Sequence, residues 1–127
     1  MAAVQCGDTF LQADGYRQIK HLWIVITEPL PSTSEVIVVN VSTLRHGADQ
    51  TVTLGVGDHS FIRHQSFINF AGAQVRSAKQ IAELIAASKL EQHDRCTDQL
   101  IKLLQQGVRA SEFTHKRILR FLSDNHS

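Results

Sequence analysis

Residues 35–43 read EVIVVNVST. The run 36–41 is β-branched and almost unbroken, which predicts a strand buried on both faces rather than one that alternates between core and solvent. Asn40 interrupts it. A buried amide needs partners, so Asn40 is a candidate to hold a loop or a ligand. Ser42 and Thr43 end the run, and hydroxyls at the rigid end of a strand can contact a phosphate or donate to a developing oxyanion. They can equally satisfy a local turn.

Outward from this stretch, residues 22–27 (LWIVIT) have the same character. The segment EPLPSTS between the two holds both prolines of the chain and predicts a loop too long for a tight hairpin. Residues 51–54 (TVTL) alternate like a half-buried strand, and GVGDH follows as a turn. Residues 6–11, 67–70 and 73–76 are further short strand candidates. Five or six strands without an intervening helix predict a small barrel or a strongly bent sheet over residues 1–76.

Residues 77–127 predict helices. Ser77 and Gln80 have capping-box spacing, and Ile81, Leu84, Ile85 and Leu90 follow helical spacing. A second helix is expected over 94–106, stopped by Gly107, with Leu100, Ile101, Leu103 and Leu104 on its apolar stripe. Thr114 is placed to cap a third. The expected class is therefore α+β: an SH3-like barrel with two or three C-terminal helices packed on it, in one domain of 127 residues.

Composition excludes several classes. Apolar residues make up 43% and charged residues 20%, the balance of a folded chain. The net charge of +1 rules out a polybasic binder driven by counterion release alone. Residues 1–76 hold five basic and six acidic side chains, and 77–127 hold eight and six. The excess sits in Arg109, Lys116, Arg117 and Arg120, which reads as a solvated helix face or a partner surface. No apolar stretch is long enough to span a bilayer, so no membrane partner is expected. The opening MAAVQCGDTF has neither a basic nor a long apolar region, which predicts no signal peptide and a cytoplasmic address. Cys6 and Cys96 form no spaced set and read as free thiols.

Seven histidines stand out. His21 opens the LWIVIT strand beside Arg17 and Lys20, where it either serves as a reactive group or makes one structural hydrogen bond. The segment GDHSFIRHQS, residues 57–66, concentrates Asp58, His59, Ser60, Arg63, His64 and Ser66. Two imidazoles can act as acid and base near neutral pH. The His59–His64 spacing matches no strong zinc pattern, and no phosphate cradle or nucleophile elbow is present, so no metal or cofactor is expected.

Four stretches in order resemble the MazF/PemK family of toxin endoribonucleases: Gly7-Asp8, His21 before LWIVIT, IVVNVST, and Ala73-Gln-Val-Arg-Ser77. The resemblance covers residues 7–77 and implies an SH3-like barrel, a homodimer, an antitoxin partner and an RNA substrate. It also shows departures. His21 stands where the family has its catalytic arginine, and Leu22 replaces the following proline. The family threonine falls at Ser42 or Thr43. The family's long polar loop is absent, and ADGYRQIK stands there.

The expected activity is metal-independent cleavage of single-stranded RNA through a 2′,3′-cyclic phosphate. His21 and His59 share acid and base duty, with Ser42 or Thr43 at the phosphate. Lys20, Arg63, His64 and Asn40 are the expected substrate-binding or auxiliary groups. The alternative is a non-catalytic SH3-like module that binds a protein partner or nucleic acid through its loops. A third expectation has the helical tail or an antitoxin holding the activity off. Convergence of the named side chains in one cleft separates the first two.

Overall fold

The structure, a computed structural model, describes residues 4–13, 15, 16 and 18–126. Its elements in chain order are β1 (Thr9–Ala13), β2 (Lys20–Val25), β3 (Glu35–Thr43), β4 (Thr53–Leu54), β5 (Ser66–Ser77), α1 (Ala78–Ala86), β6 (Glu91–His93), α2 (Asp98–Ala110) and α3 (Lys116–Asn125). The strands form one antiparallel sheet in the order β4-β5-β3-β2-β1-β6. The sheet curls into a half-barrel, and the class is α+β.

The central position of β3 explains its composition. Successive side chains of a strand point to opposite faces. Ile37, Val39 and Val41 enter a core with Leu22, Ile24 and Phe70, closed by Leu100, Leu104 and Val108 of α2 and by Ile118 and Leu122 of α3. Val36 and Val38 enter a second core with Phe10 and Val25, closed by Ala78 and Ile81 of α1. Both faces of β3 are buried, as its unbroken apolar run implies.

The structure corrects four sequence expectations. Residues 67–70 and 73–76 belong to one long strand, β5, which bends sharply. Val38 pairs with Gln74 and Asn40 with Asn69, so a two-residue step on β3 faces a five-residue step on β5. Residues 77–127 are not all helical, because β6 pairs with the outer side of β1. Gly107 does not stop α2, which runs on to Ala110. A Cβ at Gly107 would stand 2.7 Å from both Phe70 Cζ and Val52 Cγ2, so glycine is there for close helix–sheet approach. Finally, Thr114 caps nothing: α3 begins after His115 without a side-chain cap, and the buried Thr114 hydroxyl has no partner among the described residues. Ser77 does cap α1, accepting from Gln80 N at 3.1 Å, and Thr97 caps α2, accepting from Leu100 N at 3.1 Å. No helix among the described residues is long and apolar enough to cross a membrane.

Asp49 ties the β3–β4 connection to the end of α2. Its carboxylate accepts from Ser111 Oγ at 2.6 Å, Thr51 Oγ1 at 2.6 Å and Thr51 N at 2.9 Å. Burial disfavours the charge, but the hydrogen bonds from Ser111 and Thr51 outweigh it and hold the carboxyl below its ordinary value. A carboxyl depressed in the folded state stabilises it above the unfolded value, near pH 4, and loses that effect as pH falls through the folded value. Asp49→Asn is therefore expected to cost about 1–3 kcal/mol in urea unfolding at pH 7. The deficit should shrink as pH falls below about 4 and through the depressed folded value, where the wild-type carboxyl also becomes neutral. A deficit independent of pH would assign the effect to packing alone.

Candidate functional site

The antiparallel register that pairs Trp23 with Asn40 brings the start of β2 beside the end of β3. Lys20 and His21 therefore come close to Ser42 and Thr43. One wall of a cleft forms here, at the end of the sheet.

The GDHSFIRHQS loop builds the opposite wall. It turns at Gly57, whose φ of +104° suits glycine alone, and Asp58 accepts from Gly55 N at 2.7 Å. His59 then points inward and is 6% exposed. Its Nε2–H donates to the Asp94 carbonyl at 2.6 Å, and its Nδ1 accepts from Phe61 N at 3.0 Å. Ser60 Oγ donates to the Asp94 carboxylate at 2.5 Å. These bonds fasten the loop to the end of β6. The tight turn in which Ile62 N donates to His59 O sends the following residues, Arg63 and His64, back to the surface.

The resulting cleft has a volume of about 600 Å³. Lys20, His21, Ser42, Thr43, Arg63 and His64 line it, together with Ser60, His93 and Asp94. Thr43 Oγ1 and His64 Nε2 share a hydrogen bond of 2.9 Å. Lys20 Nζ lies 3.5 Å from Glu91 Oε1, a largely exposed pair whose energetic weight is small. The Ser60 hydrogen bond holds the Asp94 carboxyl below its ordinary value; desolvation works the other way, and the rings of His93 and His59 assist.

Six of the expected site residues thus share the cleft, and two do not line it. His59 lies behind it with both ring nitrogens engaged by backbone, which makes it a buried strut of the loop. Asn40 is buried too; its Nδ2 donates to Ser42 Oγ at 3.4 Å, and its Oδ1 has no partner among the described residues. Arg17, expected beside His21, lies outside the described residues. His93 and Asp94 were not singled out from the sequence. The only trace they leave there is a histidine–aspartate pair at the end of a polar run, EQHD, in which no alternation betrays a strand.

Other chemistries find less support. Burial pushes the Cys6 thiol up to about 11 and the Cys96 thiol up to about 12, so both stay protonated at neutral pH. Among the described residues no group of three or more His, Cys, Asp or Glu side chains could hold a metal ion.

The chain matches no family model, no curated protein and no solved structure. Imidazoles can take and give protons near neutrality, hydroxyls can donate to a phosphate, and Lys20 and Arg63 can balance its charge.

Proposed function

We propose that the protein cleaves single-stranded RNA in this cleft, as a MazF/PemK-like endoribonuclease whose curled sheet is a variant of the SH3-like barrel. The observation that carries the reading is the gathering of His21, the Thr43–His64 pair, Lys20 and Arg63 around one cavity. In the reaction, one of the two imidazoles removes the proton of a ribose 2′-hydroxyl. The 2′-oxygen bonds to phosphorus, the bond from phosphorus to the 5′-oxygen breaks, and the other imidazole, protonated, gives its proton to that oxygen. The products are a 2′,3′-cyclic phosphate and a 5′-hydroxyl. Ser42 or Thr43, with Lys20 and Arg63, holds the phosphate.

Purified protein incubated with mixed-sequence RNA in EDTA should yield fragments with cyclic phosphate ends. Intact RNA, or cleavage that EDTA abolishes, would overturn the reading. One observation favours a binding module instead: Glu91 and Asp94 beside the cleft offset Lys20 and Arg63, and RNA-handling surfaces are usually more basic. That alternative expects bound RNA to be recovered uncut in the same assay.

A further inference from the structure

We infer that His93 is a further catalytic residue of the cleft and donates a hydrogen bond from Nε2 to the reacting phosphate, rather than transferring a proton. The inference rests on the RNA-cleavage reading above.

His93 lines the cleft from the end of β6, where pairing of its backbone with Thr9 fixes its position. Its Nδ1 accepts the backbone N–H of Asp94 at 2.9 Å. With Nδ1 occupied as an acceptor in this way, the ring carries its hydrogen on Nε2. The ring plane is held as well. The His59 ring lies 5.4 Å away, centroid to centroid, and the Phe61 ring 5.7 Å away in an edge-on arrangement.

The partner that sets the tautomer is itself firmly placed. The Asp94 carbonyl takes hydrogen bonds from Thr9 Oγ1 and His59 Nε2, each at 2.6 Å, and its carboxylate takes one from Ser60 Oγ at 2.5 Å. The arrangement joins β1, the 57–66 loop and β6 behind a single imidazole. Protonating that ring on Nδ1 would turn the acceptor into a donor facing the N–H of Asp94. The titratable and charged groups around it are His59 and Asp94 packed beside it, Glu91 on its own strand, and Lys20, His21, Arg63 and His64 lining the same cleft. His93, with its Nδ1 held as an acceptor, is thus arranged to donate from Nε2.

Transesterification at phosphorus concentrates negative charge on the non-bridging oxygens. A preorganised donor stabilises that charge without giving up its proton, and removing one such donor typically costs about 10²–10³-fold in kcat. His93→Ala should lower kcat by about that factor, leave KM within a few-fold, and leave both limbs of the pH–rate profile in place. His93→Gln, which restores an N–H donor near the position of Nε2, should recover at least about tenfold of the loss. An unchanged kcat, or the disappearance of one limb of the profile, would overturn the inference.

Ring-nitrogen NMR of the wild-type protein tests the same point without turnover. His93 should show the Nε2–H tautomer, and addition of uridine 3′-monophosphate should shift its Nε2 resonance. A Nδ1–H tautomer, or a resonance that the nucleotide leaves unmoved, would overturn the donor role. If the nucleotide shifts the resonance while RNA remains uncut, the donor role stands and the cleavage reading falls.

Discussion

Replacing His64 by alanine should lower kcat for RNA cleavage by about 10²–10⁴-fold, the usual contribution of a positioned acid or base. The fold should scarcely register the change. His64 is an exposed loop residue, and the only side-chain hydrogen bond described for it runs to Thr43 Oγ1. Substitutions at such sites usually stay within about 0.5 kcal/mol. Loss of activity with an unchanged melting curve would therefore locate the effect in the chemistry. The pH–rate profile adds a second readout, because removing a proton-transfer group should abolish one limb of the bell. Thr43→Val should reproduce part of the loss, since it leaves His64 in place without the hydroxyl that orients it. A His64→Ala protein that cuts RNA at the wild-type rate would remove His64 from the mechanism.

His59→Ala should have the opposite signature. The substitution deletes both hydrogen bonds of a buried ring, leaves the Phe61 N–H without its acceptor and opens a cavity against His93. Lost burial of the ring and an unpaired, part-buried N–H together make a cost of about 2–4 kcal/mol reasonable. For a chain of this length that is a fall in Tm of about 10 °C. The Asp94 carbonyl keeps its bond from Thr9, so the end of β6 is weakened rather than released. At low temperature, where the variant remains folded, kcat should fall far less than for His64→Ala. A His59→Ala protein with a normal Tm and no activity would return His59 to a direct chemical role. Thermal melts and cleavage rates on both variants, measured side by side, decide between the two histidines.

The contrast between these imidazoles shows where sequence reading succeeded and where it stopped. Continuous burial of residues 36–41 was legible because an apolar run without alternation has few other uses in a β-rich chain. The hydroxyls at its end, and His21 at the start of the neighbouring run, were legible as strand-end groups, but that they meet depends on the antiparallel register of β2 and β3. The density of polar groups in residues 57–66 marked the loop, but a loop has no period from which facing can be read. Whether His59 or His64 turns outward depends on a turn closed by the Ile62 N–H on His59 O. His93 was out of reach for a different reason. Its strand has three polar residues and exists only through pairing with β1. Gly107 misled because a helix-stopping residue and a residue that admits a neighbouring sheet are the same amino acid; only the approach of Phe70 and Val52 separates the two.

The bond from Thr9 to Asp94 spans 85 positions of the chain. During folding, residues 9–77 can pair before the segment that completes the cleft docks, because contacts of high sequence separation are slow to form. A half-made molecule thus has His21, Thr43 and His64 but nothing for His59 and Ser60 to fasten onto. The connectivity works as a timer. It delays completion of the cleft until the segment around Asp94 has docked against β1 and the 57–66 loop.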